Sequence, residues 1–490
     1  MVPHDIPYSM IIIATLLIGA FISGAFAKMR KSLGIITGII VLSLSFGFSI
    51  ASAIDVFTNG VRIELAGGWL PPTGINFYVG PFSAVVVSIG LFLALISFIF
   101  QYKEISPEKA PAYLPLFILF VAGFSGMLYT GDVFNFFVFM EILSISGMVL
   151  IASLESKHSS FAAFKYYVIA SLSSSMFLVG VAIIYSSTGI LNMAFLSESI
   201  KGVNSDYIKF ASVLIILALA AEAEMLPLGL WVPDAYERAP SFISAILASL
   251  MGISGVYGIL RFVNVVFPGV EGIRYVTTTI VIIMALLTVF VTELVAAIQN
   301  RAKRMIAYAG MAQLSIIAMV GILGTEASSA ASFHIINIML VEFLLFMTTQ
   351  YFTGMGDALG KNNFSVAILL SIGALAAIGM PPFGPFWSKL YMVISAYTAG
   401  CPLISIAIIL GSVAEVYFFA RVLYHVWKSG IKIASCPEKR VAVLMLVALL
   451  IVLIGIYPKI VISTVLPKMG SDLAGVSYLD NVLSVVGWSL

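Results

Sequence analysis

The sequence predicts an all-α polytopic membrane protein with about fourteen transmembrane helices, two inverted five-helix repeats and broken helices 7 and 12. Three observations carry that expectation. The 490 residues are 61% hydrophobic and only 10% charged, with a mean hydropathy of +1.10. Apolar runs of about 18 residues or more recur from end to end, each enough to cross a bilayer about 30 Å thick. Prolines interrupt two of those runs beside ionisable residues, five spans apart.

Residues 1–111 hold three spans, at 10–27, 32–53 and 81–101, and an external hairpin. The first run has no basic residue before it and no convincing cleavage site, which predicts a retained span rather than a signal peptide. Val56 to Tyr78 alternates polar and apolar residues around Gly67, Gly68, Pro71, Pro72 and Gly74. That stretch suits a small hairpin or an irregular loop better than a helix. Spans 112–130, 133–153, 161–187, 208–229 and 239–266 make the first five-helix repeat, residues 112–266. Spans 275–298, 304–323, 329–353, 365–397 and 402–428 make the second, residues 267–428. A last span at 441–466 and a short surface tail after Pro467 fill residues 429–490.

Basic residues set the orientation. Loops after odd-numbered spans hold sixteen Lys and Arg, among them Lys28, Arg30, Lys103, Lys109, Arg301, Lys361, Lys432 and Arg440. The other side holds seven: Arg62, Lys201, Lys209, Arg261, Arg274, Lys459 and Lys468. The bias places both termini outside the cytoplasm, in a plasma or inner membrane. No polar stretch is long enough for a soluble catalytic domain, and a net charge of +2 argues against a nucleic-acid partner. Cys401 and Cys436 stand alone, so no CxxC metal or cluster site and no cofactor is expected in this chain.

Six ionisable side chains lie deep in apolar stretches: Glu141, Glu222, Glu224, Glu342, Lys389 and Glu415. A charge near the bilayer centre costs about 3 kcal/mol on insertion scales, a cost that Leu would avoid. Several in one chain point to a route for protons or small cations. Pro227 follows Glu222 by five residues, and Gly379-Met-Pro-Pro-Phe-Gly-Pro385 precedes Lys389. Each proline removes a backbone donor and clashes with the carbonyl four residues back, so both helices should break. An ionisable residue beside each of two breaks, five spans apart, is the pattern of an inverted repeat pair. His334 and Glu342, eight residues apart, share a helix face and form a plausible central relay.

Several stretches resemble one family. Thr130-Gly-Asp-Val-Phe-Asn-Phe-Phe-Val-Phe-Met-Glu141 resembles the fifth-helix motif of antiporter-like subunits. Such subunits occur in Mrp-type sodium/proton antiporters, respiratory complex I and membrane-bound hydrogenase or sulfur-reductase complexes. Trp231-Val-Pro-Asp-Ala-Tyr-Glu-Arg-Ala-Pro-Ser241 is similar to the loop between helices 7 and 8, and Val256-Tyr-Gly-Ile-Leu-Arg261 to the end of helix 8. Arg304-Met-Ile-Ala-Tyr-Ala-Gly-Met-Ala-Gln313 is similar to the start of helix 10. Met380-Pro-Pro-Phe-Gly-Pro-Phe-Trp-Ser-Lys389 is similar to the broken helix 12, and Gly67-Gly-Trp-Leu-Pro-Pro72 to the external hairpin. The D-type Mrp subunits and their relatives in archaeal-type redox complexes resemble this chain most.

The resemblance implies a helix-5 glutamate, a helix-7 lysine and further lysines on helices 8, 11 and 12. Glu141 and Lys389 keep those types, but Glu222, Ile253 and Glu342 occupy the other positions. Two carboxylates sharing a poorly hydrated site cannot both ionise without a large penalty. The expected outcomes are a shared proton or a transient Na⁺ near Glu141 and Glu222. Glu222 and Glu224, two apart, should fall on different helix faces, with Glu222 in the channel by motif position. Lys165 is expected to modulate Glu141, Glu415 to be an exit-side partner of Lys389, and Glu293 to complement Arg301.

The family thus implies an ion-translocating subunit moving H⁺, or exchanging it for Na⁺, through Glu141, Glu222, Glu224, His334, Glu342, Lys389, Glu415 and Lys165. Its partners would be lipid and other membrane subunits of an Mrp-like or energy-converting redox complex. It would carry no redox or hydrolytic site of its own. A non-conducting structural subunit is the alternative, favoured by the lost lysines and opposed by Glu141, Lys389 and both breaks.

Overall fold

The computed structural model describes residues 6–100, 104–153, 157–203, 205–351, 364–428 and 438–486. Lys103, Lys361, Lys432 and Cys436 lie outside the described residues. In chain order the helices begin with α1 (Tyr8–Met29) and α2 (Lys31–Asn59). Strands β1 (Arg62–Leu65) and β2 (Asn76–Val79) follow, then α3 (Pro81–Phe100), α4 (Ala110–Tyr129) and α5 (Val133–Ala152). Next come α6 (Lys157–Thr188), α7 (Met193–Ser199), α8 (Ser205–Glu222), α9 (Val232–Arg238), α10 (Ser241–Ile246) and α11 (Gly252–Arg261). They are followed by α12 (Glu271–Ile298), α13 (Ala302–Gly321), α14 (Thr325–Thr348), α15 (Phe364–Ile378), α16 (Gly384–Thr398) and α17 (Pro402–Lys428). The chain closes with α18 (Glu438–Ile456), α19 (Pro458–Ile460), α20 (Leu466–Leu473) and α21 (Tyr478–Val486).

Eleven helices among the described residues are long and apolar enough to cross a membrane, or twelve if the pair bent by 76° after Ile456 is one span. The sequence predicts about fourteen. The difference falls at the two runs expected to be interrupted. The seventh ends at Glu222 after eighteen residues that include Asp206, Lys209 and Glu222, too charged to count as a full span. The twelfth is split into two fifteen-residue helices, α15 and α16. Prolines explain both stops, because Pro227, Pro381, Pro382 and Pro385 cannot donate to the preceding turn.

Broken backbone inside a bilayer persists only where protein or water satisfies it. At the first break Leu226 N donates to Thr288 Oγ1 of α12 at 2.9 Å. α11 presses on the same place, where a Cβ on Gly255 would stand 2.3 Å from Ala223 N. Only glycine fits there. The span containing α10 and α11 has π-helical turns at Leu247–Met251 and Phe262–Val266, and its 18-residue apolar window is wholly buried. α14 is likewise enclosed, so these two spans form the centre of the bundle. α1, α2, α6, α12 and α17 keep large apolar side chains outward, as lipid-facing helices do.

β1 and β2 pair antiparallel, with Arg62 opposite Val79 and Leu65 opposite Asn76, so the segment after α2 is a hairpin. It docks beside a buried cage. Arg261, 1% exposed at the end of α11, donates to Asp472 Oδ1 at 2.9 Å and to the Asp472 carbonyl at 3.1 Å. Tyr78, Tyr257 and Tyr478 place their rings 5.0, 5.2 and 4.8 Å from its guanidinium. Asp472 also accepts from Phe82 N at 2.9 Å. The segment after Pro467, expected to be a plain surface tail, is therefore tied into the bundle. One buried arginine needs an acid, and the tail supplies it.

Candidate ion-translocation site

The site starts where α5 is capped. Asp132 Oδ1 accepts from Asn135 N at 2.8 Å, satisfying a donor of the first turn and fixing the helix start at Val133. Glu141 then lies about two turns inward. It is half-buried and accepts a hydrogen bond from Ser174 Oγ of α6. Three residues on, along the same face, Ser144 Oγ donates to Glu222 Oε1 at 2.6 Å. Glu222 is buried, and its Oε2 has no partner among the described residues. Glu141 and Glu222 are near enough for their charges to interact.

Glu224 does not follow the expectation for two residues on one helix. Regular helix stops at Glu222, and Glu224 takes φ +62°, a left-handed conformation uncommon for a residue with a side chain. The turn brings Glu224 inward as well. It is buried, accepts from the Tyr236 hydroxyl of α9, and interacts electrostatically with Glu222. The rule that places residues i and i+2 on different faces holds only while a helix continues.

Glu342 of α14 faces Glu224 from across the centre of the bundle, and the two charges interact. Its Oε1 has no partner among the described residues and lies against Gly310 of α13, where a Cβ would stand 2.4 Å away. One turn along α13, Gln313 carries the row onward. Its amide nitrogen donates to Glu415, and its Oε1 lies 2.6 Å from His334 Nε2. That arrangement places the ring proton on Nε2, leaving Nδ1 to Ser388 Oγ at 2.9 Å. No hydrogen bond joins His334 to Glu342 among the described residues. Gln313 of α13, not Glu342, is the hydrogen-bond partner of His334 Nε2.

Lys389 ends the row. Its ammonium donates to the Ala377 carbonyl at 2.7 Å and forms an ion pair with Glu415. Ala377 lies in the last turn of α15, whose carbonyls lose their intrahelical donors at the break. A cation at that end also complements the helix dipole. Glu415 is thus the partner of Lys389, as the sequence suggested.

Lys165 and Glu293 are corrected. Lys165 is half-exposed and bonds Asp234 Oδ2 at 2.6 Å; it lies nine residues, about 13 Å, from the serine that holds Glu141. Arg301 pairs with Glu237, not with Glu293, which lies buried beside α17. Asp234, Glu237, Lys165, Arg301 and Arg304 form one loop cluster, with Arg304 Nη1 reaching Asp234 Oδ1 at 2.6 Å. The sequence reading also missed Ser144, Ser174, Tyr236, Gln313 and Ser388. Ser144 carried a signal, its i+3 spacing from Glu141, and Gln313 closed a stretch already singled out.

The loop cluster has a testable pH dependence. Partial burial alone would raise the Asp234 and Glu237 carboxyls. Lys165 and Arg304 at Asp234, and Arg301 and Arg304 at Glu237, outweigh burial and hold them below their ordinary values. Such groups add stability that is complete above the unfolded carboxylate values, about 4, and is lost as pH falls through the lower folded ones. Thermal unfolding in detergent should therefore show their contribution full and constant between about pH 5 and about pH 8, and a decline below about pH 4. Arg304→Gln should shrink that decline, because the folded carboxyls move back toward their unfolded values. A decline of the same size in wild type and variant would remove the cluster from the account.

The arrangement can pass protons between neighbouring acids, amide and imidazole, or exchange charge states with a cation. Comparison with known proteins agrees in kind. The family described as NADH:quinone oxidoreductase/Mrp antiporter, transmembrane, matches residues 130–414. A D-type Na⁺/H⁺ antiporter subunit from Alkalihalophilus pseudofirmus is 31% identical over 397 residues, covering 79% of this chain and 80% of that protein. An N-type NADH-quinone oxidoreductase subunit from Desulforudis audaxviator is 29% identical over 419 residues, 80% of this chain and 83% of that one. A chain of the membrane-bound sulfane sulfur reductase, an archaeal respiratory membrane complex, superposes with a TM-score of 0.92 at 36% identity, covering 97% of this chain and 99% of that one. With Glu141 through Lys389 all inside the matched region, the chain belongs to the NADH:quinone oxidoreductase/Mrp antiporter transmembrane family.

Proposed function

We propose that this antiporter-like subunit moves protons, or exchanges them for Na⁺, within a multisubunit membrane complex. One observation carries the proposal: ionisable side chains from α5, α8, α14, α16 and α17 gather inside the bundle, with Ser144 holding Glu222, Tyr236 holding Glu224, and Gln313 linking His334 to the Glu415–Lys389 pair. Each unneutralised charge in hydrocarbon costs several kcal/mol, which a purely structural subunit would not need to retain. Two inverted five-helix repeats, spans four to eight and nine to thirteen, account for both breaks, with Glu222 and Lys389 at equivalent places. Both termini then lie outside the cytoplasm, and the Lys165–Arg304 cluster lies on the cytoplasmic face.

The names of its relatives support membrane partners of the Mrp, complex I or sulfur-reductase kind, with the driving force coming from a redox module or an opposing ion gradient. This chain takes H⁺ and Na⁺ as cargo and holds no resident cofactor in this scheme.

Glu222→Lys tests it. The variant restores the residue type that the family resemblance implies and places an ammonium beside Glu141, replacing an acid pair by an ion pair. In the reconstituted complex, the pH optimum or the Na⁺ dependence of ion movement should shift. Identical dependence on both would make Glu222 structural and sink the shared-proton site.

A further inference from the structure

The Lys389 end of the row contains an acid with nothing to hold it. Glu293 lies in the apolar run of α12, is 3% exposed, and has neither carboxyl oxygen hydrogen-bonded among the described residues. It lies against α17, where a Cβ on Gly411 would stand 3.7 Å from Glu293 Oε1. Gly411 and Glu415 share a face of α17 one turn apart, and Glu415 holds Lys389 and Gln313. The charged groups that reach Glu293 are Glu415 and Lys389. Of the other helices packed on α12, α8 carries Glu222, already held by Ser144, and α13 carries Gln313 and no acid. Toward lipid, Glu293, Val289, Phe290, Leu410 and Ala414 line a cleft of about 420 Å³ between α12 and α17.

An ionised carboxylate buried without a donor is unfavourable, whereas the neutral acid is tolerated. The ammonium of Lys389 has two acids within electrostatic reach and can neutralise only one of them at a time. We propose that Glu293 is the terminal proton donor of the row, exchanging a proton with Glu415 as Lys389 swings between the two. In the swap the O–H bond on Glu293 breaks and one on Glu415 forms. The ammonium leaves Glu415 for the new Glu293 carboxylate, so net charge is unchanged and no other reactant is needed. Glu415 is then the protonated member of the pair, beside the Gln313 amide. The inference rests on the proposed transport function.

The test uses the whole complex in vesicles, with proton movement followed by a pH-sensitive dye across a range of pH. Glu293→Gln should assemble, lower the rate at least about tenfold and flatten the pH profile, and Glu293→Asp should restore part of both. A wild-type rate and profile in Glu293→Gln overturns the proposal. If Glu293→Gln does not assemble, the unmodified complex is treated with a hydrophobic carbodiimide, which attacks protonated carboxyls reached from lipid. An adduct mapped to Glu293 by mass spectrometry, fading as pH rises, supports the role; its absence overturns it. Glu141→Gln run in parallel separates the failures. If that variant is silent and Glu293→Gln is normal, only this inference falls; if both pump normally, the transport function falls with it.

Discussion

Glu141→Gln is expected to reduce ion movement by about 10²-fold or more while the complex still assembles. The amide fills the same space and still accepts the Ser174 hydroxyl, but it can neither take up nor release a proton. The helix around it is held by other means. Asp132 caps its first turn, and Ser144 continues to hold Glu222, so α5 keeps its position. Loss of function with intact structure is the result that separates a proton-carrying group from a packed one. Proton uptake by vesicles containing the variant, set against the amount of complex recovered, is the measurement. Full uptake at normal assembly would leave the row without its first member.

Lys389→Met has the largest expected effect on stability. The variant leaves Glu415 with Gln313 alone and strips the Ala377 carbonyl of its donor. Removing one member of a buried ion pair costs about 3–5 kcal/mol, because the remaining charge is stranded in a medium that cannot solvate it. The side chains are 8% and 1% exposed, so solvent offers little relief. Adding Glu415→Gln to Lys389→Met should recover part of the loss, since the stranded charge is then gone. Thermal unfolding of the two variants in detergent decides the matter. If the double variant is no more stable than the single one, the damage comes from the broken helix rather than the pair.

Much of the fold was legible because its elements are local. An apolar run announces a span, and a proline announces where regular helix stops, as it does before Pro227 and between α15 and α16. The same logic overcounted full spans, since a short run carrying Asp206, Lys209 and Glu222 cannot behave as an ordinary crossing. The candidate site residues could be picked out in the sequence because an ionisable residue in an apolar run costs too much to be casual. Their connections could not. Gln313 lies 102 residues from Glu415, and Lys165 lies 69 from Asp234, separations over which periodicity carries no information. The direction of Glu224 was not legible for a different reason: it is set by a left-handed turn beyond the helix end, where face-counting has no meaning. Glu293 was passed over because a nearby arginine offered an easier partner, one that Glu237 had already taken.

The cage around Arg261 fixes one end of the molecule as a rivet would. A single Arg261–Asp472 pair ties α11, the start of α3, the hairpin and the segment from Asp472 to Tyr478 together through contacts sealed from salt and water. The opposite end is laced by the partly exposed pairs of Lys165, Arg301 and Arg304, which ions and neighbouring chains can loosen. Mechanical input from an adjoining protein would therefore enter at the laced end and pivot against the riveted one. Anything that shifts α9 tugs on Tyr236, and through it on the acid beyond the first helix break.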